Sequence, residues 1–356
     1  MEVDSILINW YKAHKRLLPW RNSSDPYIVW VSEIILQQTR VDQGLEYFNR
    51  FVERFPDVFS LACADEQEVL RYWQGLGYYT RARNMQVAAR KIAQEFRGIF
   101  PESSSELVKL KGIGPYTAAA IASICFGEAC PVVDGNVMRV IARYFGITAA
   151  VNRPEGHRAV HEAALRLIDH KQAGMFNQAM MEFGALHCTP RNPLCESCPL
   201  QAGCDAFYTK RTEMLPVKIK LARPRDRYFY YLAILAKNVQ GQKEIYLHKR
   251  TGNDIWKGMY ELPLIELSSA MEAENLFLSP GWKTIFEAQP LQILAFSDEY
   301  KHQLTHQTIY ARFVSVQAEE PPAGSDEWLH VDINNLPDYP LPRLIDKYLK
   351  QEGIIQ

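Results

Sequence analysis

The sequence predicts a multidomain protein in which an all-α part, built around a helix-hairpin-helix, is followed by an α+β part. The chain has 356 residues, more than a typical single domain. Apolar residues recur with helical spacing over most of residues 1–205 and are interrupted by a Gly-rich turn. From Tyr228 onward the pattern changes to the short apolar and alternating runs that are typical of strands.

Composition places the chain among globular proteins, with 47% hydrophobic and 23% charged residues. No apolar run approaches membrane-spanning length, and the N-terminus lacks the basic start and cleavage pattern of a signal peptide. We therefore expect an intracellular protein, cytoplasmic if bacterial. The net charge of −1 does not by itself indicate a nucleic-acid binder, so any such affinity must come from local patches and helix termini.

The first helices are predicted from amphipathic spacing and breakers. Residues Ile6–Arg16 form one helix that Pro19 ends, and Asp25-Pro26 starts a second over Tyr27–Tyr47. Within the second, Glu33 sits among apolar neighbours, and such surroundings raise the pKa of a carboxyl group toward that of a general acid working near neutral pH. A helical glutamate that faces solvent explains the pattern alone equally well.

The hairpin lies at residues 107–124. A helix end at Leu107–Leu110 is followed by the turn Gly112-Ile113-Gly114 and a second helix, Pro115–Ile124. Two glycines before a helix N-terminus let the backbone approach a ligand and aim N–H groups at it, which suits an anion such as a nucleic-acid phosphate. An ordinary connection between two helices is the alternative for the turn alone.

Asp134 follows the hairpin by twenty residues, inside the apolar run PVVDGNVM. A carboxylate in that setting is more often catalytic or a helix cap than a solvated surface charge. Further helices are predicted at Glu155–Ile168 and Met175–Leu186.

Seven cysteines, an odd number with four of them clustered, argue against a disulfide framework. Four cysteines within 17 residues of an intracellular chain predict a metal site instead. Zinc sites of four cysteines usually consist of two CxxC pairs, and the spacing here is different. The remaining cysteines, Cys63, Cys125 and Cys130, are expected to be buried or half-buried thiols. The four clustered residues are Cys188, Cys195, Cys198 and Cys204.

The chain resembles the helix-hairpin-helix-Gly/Pro-Asp DNA glycosylases, and among them the MutY family of adenine DNA glycosylases. The resemblance rests on the cysteine spacing and on the segments KGIGPYTA, VDGNVMR, VSEIILQQTRV and PWR. The resemblance covers nearly the whole chain. It implies a helical glycosylase domain over residues 1–205 with a [4Fe–4S] cluster loop at 188–204, and a Nudix-like 8-oxoguanine recognition domain over 228–356. Residues 206–227, with seven Lys or Arg and two Asp or Glu, form the basic linker between them. This linker is expected to follow the DNA backbone, although a solvated spacer explains it equally well.

The resemblance also implies roles for individual residues. Glu33 would protonate adenine N7, and Asp134 would stabilise the oxocarbenium ion with support from Tyr116 and Asn136. The adenine pocket would be lined by Trp20, Arg21 and Glu182. The DNA contacts would come from Leu36, Gln38, Thr39, Tyr78, Gly112, Ile113 and Gly114. Tyr79, next to the proposed intercalating Tyr78, is expected to belong to the core.

The second half carries a segment, GNDIWKGMYELPLIE, that resembles Nudix-like domains, but the carboxylate cluster of hydrolytic members does not follow it. Hydrolysis of free nucleotides is therefore not expected. The family reads 8-oxoguanine with an aromatic-Ser-His loop, and the matching residues here are Leu304, Thr305 and His306. Thr305 keeps the hydroxyl, whereas Leu304 replaces the aromatic residue. A plain strand edge is the alternative.

Two other functions fit parts of the sequence. Endonuclease III-like lyases for oxidised pyrimidines resemble the chain through residue 204. These lyases have a lysine in the hairpin where this chain has Tyr116, and that lysine forms the Schiff base needed for strand cleavage. A non-catalytic mismatch-binding protein would lack Glu33 or Asp134. We therefore predict a monomeric, monofunctional glycosylase acting on duplex DNA with A:8-oxoguanine or A:G mispairs. Sliding-clamp or other repair partners are not specified by the sequence.

Overall fold

The computed structural model describes residues 2–220, 223–238, 240–286, 291–318, 321–323 and 325–355. Contacts divide the chain into two compact units. The first unit is Met1–Cys63 with Asn84–Leu221, and the second is Ala64–Arg83 with Ala222–Gln356. The second unit thus includes a segment that the sequence prediction placed in the helical part. No helix in the described ranges is long and apolar enough to cross a membrane.

The first unit is built of helices, as the periodicity predicts. Two short 3-10 turns, Pro19–Asn22 and Gln201–Gly203, complete it. One helix, α6 (Thr80–Glu95), begins in the second unit and continues into the first. The helices are α1 Val3–His14, α2 Pro26–Leu36, α3 Val41–Arg54, α4 Val58–Cys63, α6 Thr80–Glu95, α7 Ser104–Leu107, α8 Pro115–Phe126, α9 Gly135–Tyr144, α10 Pro154–Leu167, α11 Ala173–Leu186 and α12 Asp205–Tyr208.

The helix predicted over Tyr27–Tyr47 is two helices. Asp25 caps α2 by accepting a 2.8 Å hydrogen bond from the Tyr27 N–H, and α2 ends at Leu36. Gln38 then has a φ of +60°, a left-handed conformation that an α-helix cannot contain. The break turns residues 37–40 into a loop, and α3 restarts at Val41.

One core of the first unit lies between α1, α9, α10 and α11, where Leu7, Ile141, Val160, Phe176 and Phe183 are buried. The hairpin helix α8 packs through small side chains instead, since its residues 118–122 are alanine apart from one isoleucine and all are buried. Small side chains let neighbouring helices approach the α8 backbone closely.

The second unit is α+β, as the strand pattern predicts. Its strands are β1 Arg225–Lys237, β2 Lys243–Lys249, β3 Tyr260–Glu261, β4 Leu264–Leu267, β5 Leu291–Phe296, β6 Tyr300–Gln303, β7 Gln307–Ala318 and β8 Leu329–Asp332. Its helices are α5 Glu66–Trp73, α13 Ala273–Leu278, α14 Pro280–Phe286 and α15 Arg343–Gln351, with 3-10 turns at Ser325–Glu327 and Ile333–Asp338. The strands form one sheet with the order β3-β2-β1-β7-β5, in which β4 also pairs with β1, β6 with β7 and β8 with β2. The central β1–β7 pair is parallel and the others are antiparallel.

Helices cover both faces of this sheet, which explains why β1 is apolar almost throughout rather than alternating. Val314 and Val316 of β7 belong to the same core as Trp282 of α14. From the other face, Phe313 stacks on Tyr348 of α15 with ring centroids 3.9 Å apart.

The segment Ala64–Arg83 is held in the second unit by polar contacts. Gln67 donates to the Tyr260 hydroxyl at 2.7 Å, and Arg71 pairs with Asp338 at 2.8 Å. Tyr79 is buried, as expected, whereas Tyr78 is 46% exposed and has a left-handed φ of +48°.

Candidate active site

A cavity of about 710 Å³ in the first unit gathers the predicted catalytic and adenine-pocket residues and three of the predicted DNA contacts. Its walls come from the loop after α1, from α2 and the loop that follows, from the start of α8, from the start of α9 and from α11. The predicted residues that line it are Trp20, Arg21, Glu33, Leu36, Gln38, Thr39, Tyr116, Asp134, Asn136 and Glu182.

Glu33 is buried, with 8% of its surface exposed, so the alternative of a solvent-facing glutamate is wrong. Burial raises the pKa of Glu33 to about 7, and the negative charge of Asp134 adds to this, while a hydrogen bond from Tyr116 and the charge of Arg21 oppose it. A carboxyl group with this pKa is half protonated near neutral pH, as a general acid requires.

Tyr116 connects the hairpin to the cavity. It lies in the first turn of α8, and its hydroxyl donates a 2.5 Å hydrogen bond to Glu33 Oε2. Burial and the nearby carboxylates raise the pKa of Tyr116 well above its usual value, so its proton stays on the phenol. The remaining oxygen, Oε1, is then the Glu33 atom that can carry a transferable proton.

Asp134 is both a helix cap and a cavity carboxylate. Its Oδ1 accepts a 2.7 Å hydrogen bond from the Val137 N–H at the start of α9, and its Oδ2 accepts one of 2.8 Å from Asn136 Nδ2. Burial raises the pKa of Asp134, while these hydrogen bonds and the charge of Arg139 lower it. The cap fixes the carboxylate at the end of a helix whose dipole favours negative charge.

Three residues that the sequence analysis did not single out hold the Asp134 region. Buried Asn177 accepts from the Val132 N–H at 3.1 Å and donates to the Cys130 carbonyl at 2.9 Å, which fixes the loop before Asp134. Arg139 donates to Asn136 Oδ1 at 2.9 Å and to the Cys188 carbonyl at 2.8 Å. Gly184 permits this packing, because a Cβ there would lie 2.7 Å from that of Asn136.

Glu182 is buried among cations at one end of the cavity. Arg16 donates to its Oε1 through Nε at 2.9 Å and to its Oε2 through an Nη at 2.6 Å, and Arg21 donates to Oε2 at 2.5 Å. Burial alone would raise the pKa of Glu182, but these hydrogen bonds lower it to about 2. Arg16 was not predicted from the sequence. The feature that could have indicated it is Glu182 itself, because a glutamate buried in an apolar helix needs a cationic partner.

The hairpin turn has the geometry that its glycines predict. Gly112 has a φ of +80°, and a Cβ there would come within 2.6 Å of the Asn84 Cβ. Gly114 is the N-cap of α8, with open space where a side chain would stand. Glu128 braces the first hairpin helix, since its carboxylate accepts from the N–H and the hydroxyl of Ser104 at 2.6 and 2.7 Å.

The four clustered cysteines lie half-buried in one loop after α11 and form no disulfide. Burial raises the pKa of Cys195, and the nearby Cys188 and Cys204 raise it further, so these side chains lie close together. Within the described ranges, no group of three His, Cys, Asp or Glu side chains is arranged to hold a single metal ion. Four cysteines in one loop are the donor set that iron–sulfur clusters use. The expectation for Cys63 was wrong, since it is exposed at the end of α4.

In the second unit, Leu304, Thr305 and His306 form the turn between β6 and β7. The Leu304 N–H donates to the Gln307 carbonyl at 2.8 Å, and the Arg225 N–H donates to the His306 carbonyl at 3.0 Å. The Thr305 hydroxyl lies 2.7 Å from the hydroxyl of Tyr78, so the structure brings two of the predicted DNA contacts together.

In the second unit, several carboxylates are paired with guanidinium groups. Arg227 forms ion pairs with Asp254 at 2.8 Å and Glu266 at 2.7 Å, and Arg250 pairs with buried Glu261 at 2.7 Å.

Family models describe the same three parts. The HhH-GPD superfamily of base excision DNA repair proteins matches residues 31–167, the iron-sulfur binding domain of endonuclease III matches residues 188–204, and the NUDIX domain matches residues 234–351. The fold and the site therefore define a base-excision DNA glycosylase with an iron–sulfur loop and an appended Nudix-like domain. The four predicted ligands fall within the second match, which confirms the [4Fe–4S] cofactor.

Relatives then specify the family. An adenine DNA glycosylase of Buchnera aphidicola is 34% identical over 307 residues, which cover 85% of this chain and 83% of that protein. The adenine DNA glycosylase of Mus musculus is 32% identical over 368 residues, which cover 90% of this chain and 72% of that protein. The chain belongs to the adenine DNA glycosylases, the hydrolases that cut the N-glycosidic bond of adenine in DNA.

Two solved structures agree with the helical fold. A thermostable thymine-DNA glycosylase is 28% identical, with a TM-score of 0.54 over 58% of this chain and 95% of that one. An endonuclease III bound to DNA is 22% identical, with a TM-score of 0.50 over 59% of this chain and 99% of that one. The predicted fold class is thereby confirmed.

Proposed function

We propose that the enzyme removes adenine mispaired with 8-oxoguanine or guanine, and that it hydrolyses the glycosidic bond without cutting the strand. The observation that carries the proposal is the pair of carboxyl groups in one cavity, of which Glu33 has a pKa of about 7 and Asp134 caps a helix. Two carboxyl groups in different environments can serve as acid and as anionic stabiliser, as in glycoside hydrolysis.

The target adenosine must leave the duplex to reach this cavity, because its glycosidic bond is inaccessible within the base stack. The flipped base would lie against Trp20, Arg21 and Glu182. Arg21 supports this placement with a buried Nη1 that has no hydrogen-bond partner among the described residues. An unpartnered buried donor is costly, and an acceptor nitrogen of the adenine ring would satisfy it.

Glu33 acts as the general acid on adenine N7 through Oε1, because Tyr116 occupies Oε2. Protonation makes the base a better leaving group. Asp134, held by Val137 and Asn136, stabilises the oxocarbenium character that develops on the sugar.

Contacts to the DNA would come from both units. Gln38 and Thr39 lie in the loop after α2 at the cavity edge, beside Leu36. The hairpin turn Gly112–Gly114, at the N-terminus of α8, is suited to a phosphate. The cluster loop and the basic residues 206–227 would add further backbone contacts.

The base opposite adenine would be read by the second unit. Tyr78 is half-exposed and hydrogen-bonded to Thr305, so its ring can stack on bases. The Thr305 hydroxyl would then hydrogen-bond to the altered edge of 8-oxoguanine. Leu304 supplies only apolar contact where the family has an aromatic ring.

The hairpin supports a monofunctional mechanism. Tyr116 stands where endonuclease III-type lyases carry their lysine, and none of the residues lining the described cavity is a lysine. Without an amine at this position no Schiff base can form on the sugar.

The test is single-turnover cleavage of duplexes with adenine opposite 8-oxoguanine, adenine opposite guanine, or thymine glycol opposite adenine, each analysed with and without alkali. Adenine release from the first duplex, with a nick only after alkali, is expected. Removal of thymine glycol with spontaneous nicking, or efficient borohydride trapping on DNA, would contradict the proposal.

A further inference from the structure

Arg143, in the last turn of α9, is a buried cation that has no acidic partner among the described residues. Its side chain is almost completely buried, with 2% exposed. Its guanidinium donates to the carbonyls of Thr189 at 2.7 Å, Pro190 at 3.2 Å and Leu215 at 3.0 Å. Within the described residues no carboxylate pairs with it. Carbonyl oxygens satisfy its N–H groups but do not neutralise its charge, and an uncompensated buried charge is strongly destabilising.

The remaining contact indicates where the compensating charge lies. An Nη of Arg143 stands 3.4 Å from Cys188 Sγ, and the Arg143 carbonyl oxygen lies 3.7 Å from Cys204 Sγ. Arg143 therefore touches both the first and the last cysteine of the cluster loop. Nothing in its sequence spacing announces this, because Cys188 lies 45 residues further along the chain.

Four thiolates around a [4Fe–4S] core leave the cluster with a net negative charge when it is bound. We infer that Arg143 is the counter-ion of this cluster and donates an N–H···S hydrogen bond to Cys188. The same guanidinium fastens the start of the cluster loop, at Thr189 and Pro190, to the following segment at Leu215.

The Arg143 guanidinium should affect the redox behaviour of the cluster independently of base excision. A positive charge and a hydrogen bond at a ligating sulfur favour the more reduced state of an iron–sulfur cluster, and so raise its reduction potential. Removing them should lower the potential and weaken retention of iron.

The test compares Arg143→Gln, Arg143→Lys and the control Arg211→Gln as full-length, cluster-loaded proteins without DNA. Arg211 is suitable because it pairs with Asp205, next to Cys204, at 2.6 Å and has a carboxylate partner of its own. The readouts are iron per protein during incubation with a chelator, and the midpoint potential followed by visible absorption and electron paramagnetic resonance.

We expect Arg143→Gln to lower the potential and to lose iron faster than the wild type. Arg143→Lys, which keeps the charge, should retain more iron than Arg143→Gln, and Arg211→Gln should behave as the wild type. A wild-type potential and wild-type iron retention in Arg143→Gln would overturn the assignment. Equal iron loss from the Gln and Lys variants would also overturn it, because the carbonyl contacts rather than the charge would then hold the loop.

Discussion

Replacing Tyr116 with phenylalanine should move the pH dependence of base release. The phenol hydroxyl donates to Glu33 Oε2 at 2.5 Å and thereby favours the ionised carboxylate, which holds the pKa of Glu33 down at about 7. A hydrogen bond to a charged group contributes about 1.5–3 kcal/mol, and about 1.4 kcal/mol corresponds to one pKa unit. The substitution should therefore raise the pKa of Glu33 by about one to two units.

The sign of the effect follows from the proposed role of Glu33 as the general acid. Base release needs the protonated form, so the wild-type rate should fall as pH rises through about 7. In Tyr116→Phe the protonated form persists to higher pH, and the falling limb should move up by about one to two units. The absolute rate can also drop, since Tyr116 lines the cavity, so the position of the limb is the readout.

The assay is single-turnover adenine release at saturating enzyme across a pH series, with circular dichroism at each pH as the control for folding. Glu33→Gln should show no comparable limb because it has lost the acid. An unchanged limb in Tyr116→Phe, or one displaced to lower pH, would refute the reasoning that the phenol controls the ionisation of Glu33.

Four further predictions concern neighbouring residues. Asp134→Asn keeps an N-cap side chain on α9, so its free energy of unfolding should lie within about 1 kcal/mol of the wild-type value. It should bind mismatched DNA but release no adenine. A strong loss of stability would show that the cap depends on the charge. The pKa of buried Glu33 rises from 4.5 to about 7 on folding, so the free energy of unfolding of the wild type should fall by up to about 3 kcal/mol between pH 4.5 and 7, whereas Glu33→Gln cannot ionise and should show no such fall. Denaturant titrations should therefore find Glu33→Gln the more stable protein at pH about 8. The same difference in stability at pH about 5 would contradict this. Glu182→Gln leaves Arg16 and Arg21 without their buried counter-ion, so it should lower the free energy of unfolding by about 3–5 kcal/mol and abolish base release. The control Glu106→Gln, at an exposed ion pair, should change stability by less than about 1 kcal/mol in the same thermal unfolding experiment. A stable, active Glu182→Gln would contradict the proposed role of Glu182 in the adenine pocket. Tyr78→Phe and Thr305→Val each remove the 2.7 Å hydrogen bond between the Tyr78 and Thr305 hydroxyls, so each should reduce the preference for 8-oxoguanine over guanine, and the double variant should reduce it little further. Fully additive losses in a double-mutant cycle would show that the two residues act independently.

Local chemistry made much of this protein readable from its sequence. Hydrophobic periodicity predicts helices before residue 205 and strands after Tyr228, because each kind of backbone presents its apolar face at its own period. The hairpin glycines are predictable because a turn of that kind needs a positive φ and close backbone approach, which Gly112 has. Cysteine spacing is informative for a similar reason, since one short loop supplies all four ligands.

The tertiary structure decided which distant groups meet. The environment of Glu33 could not be read from α2 alone, because its pKa depends on Tyr116 and Asp134, 83 and 101 residues further along the chain. The same holds for Arg16 on Glu182, for Tyr78 against Thr305 and for Arg143 beside Cys188. Burial and ion pairing are properties of packed elements rather than of sequence neighbours, so the sequence by itself identified the candidate residues and the fold determined their ionisation and their partners.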